Sequence, residues 1–137
     1  MAVVLVAGLA MGRSLDESLQ AAGDNRAHIE EALSTVPAAQ RPAMQWLIEH
    51  MPEEDLRTLD APFLREHVDL AYQAWVDSPW HDDVPEQVFF EAIVPYASVN
   101  ERRDAWRRPF REMCLPMVAE ATSPGQAATM LNQKVFP

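Results

Sequence analysis

The chain has 137 residues, 48% hydrophobic and 23% charged, the composition of a folded domain that can bury its own core without a metal or a disulfide framework. Its formal net charge is −10, from 21 acidic and 11 basic residues, so as a whole it repels nucleic acid and anionic membrane surfaces. A single cysteine, Cys114, excludes an intrachain disulfide.

Residues 1–13 form an apolar N-terminal segment, and residues 14–137 read as one helical domain. The run from Met1 to Gly12 is too short to span a bilayer. It has the hydrophobic character of a secretory signal, which points to export, yet no Lys or Arg precedes it. A buried first element of the domain is the alternative, and with it a cytoplasmic location stays open. Ser14-Leu15-Asp16-Glu17 predicts a capping box opening a short helix to about Ala22, ended by Gly23. Asp24 is placed to cap the next helix, with Ile29, Ala32, Leu33 and Val36 on its apolar face. Met44, Leu47, Ile48 and Met51 make a third stripe, with Trp46 beside it. Glu53-Glu54-Asp55 then suits a helix N-terminus, where the dipole favours carboxylates.

Asp60-Ala61-Pro62 is a start signal for a helix to about Asp77. Leu64, Val68, Ala71 and Trp75 face its core side, and Arg65, Glu66, Asp69 and Gln73 face water. Ser78-Pro79 stops it, and Trp80 anchors a loop. Pro85-Glu86 opens another helix with Val88, Phe89, Ala92, Ile93 and Tyr96 inward. After a structured turn bracketed by Pro95 and Pro109, the positions Trp106, Phe110, Met113 or Cys114, Met117 and Ala121 repeat at helical spacing. Ser123-Pro124 begins a last helix with Ala127, Leu131 and Val135 inward. The fold class expected is therefore all-α: an irregular bundle of about six or seven short, proline-punctuated helices.

Few residues carry a chemical signal. Cys114 lies on or beside an apolar helix face, where a thiol acts as a small hydrophobe rather than a nucleophile. The histidines His28, His50, His67 and His81 show neither the Glu-x-x-His nor the His-Glu-x-x-His spacing of metal sites, so no metal and no cofactor is expected. His67, beside an apolar stripe, reads as a partly buried, hydrogen-bonded side chain. The densest polar group is Asn100, Glu101, Arg103 and Asp104, close to Tyr96, Trp106 and Arg107. It has two readings: a turn whose polar groups satisfy one another, or a partner surface anchored by Arg103, Trp106 and Arg107. The arginines between Arg102 and Arg111 are the one basic patch, expected to pair with Glu101, Asp104, Glu112 and nearby acids rather than to bind nucleic acid.

The same region carries a resemblance. Pro95-Tyr96-Ala97-Ser98-Val99-Asn100-Glu101, Arg103-Asp104 and Trp106-Arg107 resemble a helical segment of bacterial transglutaminase-like proteins. Met51-Pro52-Glu53-Glu54-Asp55-Leu56, Phe63-Leu64, Asp69, Tyr72, Pro79-Trp80, Pro85-Glu86, Phe89, Leu131-Asn132 and Val135-Phe136 agree in order. The likeness spans roughly residues 51–137. It implies an N-terminal helical region preceding a papain-like thiol domain whose Cys, His and Asp lie beyond Pro137. The expectation is a chain with no catalytic residues of its own, bracing or docking on that following domain, which would act on peptide-like amides by acyl transfer or hydrolysis. A stand-alone peptide- or protein-binding module is the alternative. At the position of His67 the family more often has Asn, so the resemblance assigns that residue no role.

Overall fold

A computed structural model describes residues 12–97 and 101–135 of the chain. Apart from Gly12 and Arg13, the apolar N-terminal segment lies outside the described residues, as does Asn100. Every regular element among the described residues is helical: α1 (Leu15–Ala21), α2 (Arg26–Thr35), α3 (Arg41–His50), α4 (Glu53–Thr58), α5 (Ala61–Val76), α6 (Glu86–Val88), α7 (Arg107–Cys114) and α8 (Pro124–Val135), with short 3₁₀ turns between several of them. The fold is all-α. None of these helices is long and apolar enough to cross a membrane.

Local chemistry sets most boundaries. The Ser14 hydroxyl accepts from the Glu17 amide at 3.2 Å while the Glu17 carboxylate accepts from the Ser14 amide at 2.8 Å, so two of the free amides at the start of α1 are satisfied. Gly23 has a positive φ of 55°, the conformation that lets the chain leave α1. Asp60 accepts from the Phe63 amide at 2.9 Å and opens α5, with Pro62 in its first turn. At α8 the Ser123 hydroxyl accepts from the Gln126 amide, and the Gln126 side chain accepts from the Thr122 amide.

One expected cap is not used. Residues Gly23–Asn25 form a 3₁₀ turn, and neither Asp24 nor Asn25 caps α2 through its side chain. Asn25 instead donates from Nδ2 to the carbonyls of Leu56 at 2.9 Å and Leu59 at 2.7 Å. These are orphan carbonyls at the end of α4, so a residue of one helix junction closes another.

The core is built by α2, α3, α4 and α5. Ile29, Met44, Ile48, Leu56, Leu64 and Val68 are fully enclosed, with Phe89 and Val94 closing one side. Helix α5 runs through the middle, packing on α2, α3 and α7. Its expected solvent face is only half right. Asp69 is half-buried and bridges Gln40 and Gln73, each at 2.7 Å.

Two expected burial patterns are corrected. After α6 the chain widens into a π-helix, Phe89–Ile93, with the Val94 amide bonded to the Phe89 carbonyl at 3.0 Å. That i to i+5 bond shifts the inward face, so Phe89, Val94 and Tyr96 are buried while Val88 is 46% exposed and Ala92 also faces water. Along α7 the apolar residues are not a core stripe. Cys114 and Ala121 are buried, but Phe110 is 50% exposed, Met113 44% and Trp106 38%. Helices α7 and α8, joined through the 3₁₀ turn Leu115–Val118, form a C-terminal hairpin that meets the bundle chiefly where α7 packs on α5, with Arg107 also bonded to the Ile93 carbonyl of the π-helix.

Asn25→Ala would leave the Leu56 and Leu59 carbonyls at the end of α4 without this donor. The expected cost is about 1–3 kcal/mol of unfolding free energy, read as a lowered urea midpoint with an unchanged slope. Asp24→Ala should cost under about 0.5 kcal/mol.

Candidate functional site

The candidate site forms where the hairpin joins the bundle. Its centre is Asp55 on α4, a carboxylate with 5% of its side chain exposed. The Tyr96 hydroxyl donates to Oδ2 at 2.6 Å, and Arg103 Nε faces both carboxylate oxygens at 3.0 Å. Arg103 also donates to the carbonyl of Glu101 and lies 5.8 Å above the Tyr96 ring. A buried charge costs several kcal/mol to desolvate, and these donors offset that cost. Burial, reinforced by the Asp55 hydrogen bond and charge, holds the Tyr96 phenol well above its ordinary pKa. The hydroxyl therefore stays a donor.

Beside this trio lies a second polar group. His67 on α5 is 5% exposed, with Nε2 2.8 Å from the Val94 carbonyl. That carbonyl can only accept, so Nε2 carries the hydrogen. Arg107 Nη2 donates to the carbonyls of Ile93 at 2.5 Å and Pro95 at 3.4 Å, which places a cation at the C-terminal end of the α6 and π-helical segment. The same Nη2 is 3.2 Å from His67 Nε2, and with the hydrogen directed at Val94 the two approach as donors. Burial first, then the Arg107 charge, push the His67 imidazole down to about 4. Burial also lowers Arg107 to about 10, which leaves it a cation at neutral pH.

Aromatic rings fill the space between. Tyr96 meets Phe63 and His67 edge-on, and the Trp106 ring lies edge-on to His67. Trp106 donates from Nε1 to the Tyr96 carbonyl at 2.6 Å, and the Arg107 guanidinium sits 4.7 Å above the indole. Of the sequence-selected residues, Tyr96, Arg103, Trp106 and Arg107 are thus drawn into one junction. Glu101 contributes its carbonyl, and Asp104 stays at the surface, paired with Arg102 at 3.0 Å.

The arginine patch is paired within the chain, mostly with acids distant in sequence. Arg103 takes Asp55, Arg108 takes Glu66 at 2.6 Å, and Arg111 takes Asp77 at 3.3 Å. Asp55 was the functional side chain missed as a centre. Its signal is slight: α4 is only Glu53–Thr58, Leu56 is its one apolar residue, and along the chain Asp55 reads as one of three first-turn acids.

Between α5 and α7 runs a groove of about 450 Å³. Leu70, Ala74 and Trp80 form one wall, Phe110, Cys114 and Leu115 the other, and Arg107 and Arg111 also line it. The Cys114 thiol is buried, and no histidine lies among the lining residues. Among the described residues no group of three or more His, Cys, Asp or Glu side chains converges as a metal site would require. No family model, curated protein or solved structure matches this chain.

Removing the carboxylate should be costly: Asp55→Ala takes the acceptor from a buried phenol and the carboxylate from Arg103, for an expected loss of about 3–5 kcal/mol. Tyr96→Phe should cost about 1–2 kcal/mol. In a double-mutant cycle the two should fall short of additivity, since each removes the same bond.

The histidine predicts a pH dependence. His67 has a folded pKa of about 4 against an ordinary value of 6.5, so the unfolded chain binds the proton more readily. Its stabilising effect is complete above pH 6.5 and is lost as pH falls toward 4. At pH 5 the loss relative to pH 7.5 should be about 2 kcal/mol. His67→Asn should show a smaller difference between those two pH values in urea unfolding.

Proposed function

We propose that this chain is a non-catalytic helical domain that braces a neighbouring catalytic domain, in keeping with the resemblance to the region ahead of transglutaminase-like thiol enzymes. The observation that carries the reading is how the residues are used. The polar side chains with most chemical potential, Asp55, His67, Tyr96, Arg103 and Arg107, are committed to one another and to backbone carbonyls. Phe110, Met113 and Leu115 meanwhile stand 44–54% exposed on a hairpin that hangs from α5.

Such a junction suits a brace. It fixes the hairpin's angle to the bundle, and the hairpin offers apolar side chains of the kind that interface centres bury. On this reading the partner supplies the reactive cysteine, histidine and aspartate, and this chain supplies rigidity and access. The alternative, a self-sufficient peptide-binding module, is favoured by the groove between α5 and α7.

The deciding experiment begins with the reading frame past Pro137. An in-frame domain with a Cys at a helix start, then His and Asp on strands, is expected. That domain, expressed separately, should co-elute with this chain, and Met113→Glu with Leu115→Glu should weaken the association at least about tenfold. A stop codon at Pro137 would refute the bracing role, and association unchanged in the double variant would refute the hairpin as its surface.

A further inference from the structure

Within the arginine patch the charge accounting leaves one residue over. Arg102, Arg103, Arg108 and Arg111 each face a carboxylate within the chain. Arg107, among the described residues, faces carbonyls, an indole ring and an imidazole but no acid, and its Nε–H is enclosed without an acceptor. The two carbonyls and the indole offset the charge of this half-buried cation only in part, because dipoles and a ring are weaker counterparts than an acid.

Arg107 lines the groove between α5 and α7. That groove has the volume of a small-molecule pocket, which runs roughly 300–1,000 Å³, at about 450 Å³. Its charged lining residues are Arg107, Arg111 and Asp77, and Asp77 is already taken by Arg111, so the lining is net positive in a chain of net charge −10. Apart from Ser78 its other lining residues are apolar, and they come from α5 with the loop after it and from α7 with the turn after it rather than from one flat helix face. Low-polarity walls strengthen the field of the cation they surround.

We propose that this groove binds an apolar monocarboxylate, a molecule with a hydrocarbon or aryl body and one anionic head. The body lies between Leu70 and Ala74 on one side and Phe110 and Leu115 on the other. The head faces Arg107, supplying the negative charge that the chain itself does not. Neutral lipids of the same length lack that head and are discriminated against. A dianion or a polyphosphate is disfavoured by the apolar lining and by Asp77 at the rim.

The test uses the 137-residue chain alone, so its result does not depend on any following domain. Dodecanoate, kept below its micelle concentration, is titrated by calorimetry and by Trp fluorescence, since Trp80 and Trp106 both line the groove. Dodecanol is the neutral control. Dodecanoate should bind at least about tenfold more tightly than dodecanol, the worth of a single charge-assisted contact. Ala74→Trp, at an exposed helix position, should fill the groove and weaken dodecanoate at least about tenfold without loss of helicity. Arg107→Gln should bring the two ligands to equal affinity if it folds. The dodecanol comparison on the unaltered chain stands whether or not it does. Equal affinity of acid and alcohol for the unaltered chain would overturn the assignment of the head. Binding indifferent to Ala74→Trp, or no binding of dodecanoate at all, would overturn the site.

Discussion

The burial of Asp55 constrains everything around it. A carboxylate inside a helical core is tolerable only when its oxygens are met by donors, and α4 cannot supply them to its own side chain. They come from Tyr96 and Arg103, 41 and 48 residues further along. The need to compensate one charge therefore ties the second half of the chain to the first. It also fixes the path after α6, because the phenol and the guanidinium must reach the same acid. Such a pair contributes little net stability against an apolar substitute, but it makes alternative arrangements of these segments costly.

The second cluster works on the same logic with the sign reversed. Arg107 brings a positive charge to the carbonyl end of the α6 segment, and His67 stays neutral because its burial, and after it that charge, oppose a proton. Trp106 lies between, tied to the Tyr96 carbonyl and covered by the Arg107 guanidinium. Compensation of cations by carbonyl dipoles and a ring is weaker than compensation by an acid. The Arg108–Glu66 and Arg111–Asp77 pairs hold the hairpin to the end of the bundle as well, and Arg107 is the member of the patch that meets no acid among the described residues.

A division of labour follows. The bundle of α2 to α5 is apolar and closed, the junction is polar and nearly satisfied, and the hairpin is apolar and open. At the junction the Asp55 carboxylate, the Tyr96 phenol and the His67 imidazole are bonded within the chain, while Arg107 Nε–H meets no acceptor among the described residues. An open apolar surface beside a positive lining is suited to holding something else in place, whether a neighbouring domain on the hairpin or a small amphipathic anion in the groove.

Local sequence by itself determined the helical class, the start of α1, the span of α5 with its Asp60 cap, and the stripes Met44, Leu47, Ile48, Met51 and Leu64, Val68, Ala71. Caps and 3.6-residue periodicity act over a few residues and need no tertiary partner. It also marked Tyr96, Arg103, Trp106 and Arg107 as belonging together. Tertiary structure alone decided that Asp55 is their centre, that Asn25 closes α4 rather than opening α2, and that the π-helical turn rotates Val88 out and Val94 in. It alone left Phe110 and Met113 open to water. Each of these turns on a partner dozens of residues away or on a change of helical pitch, and a periodic pattern read along one helix contains neither.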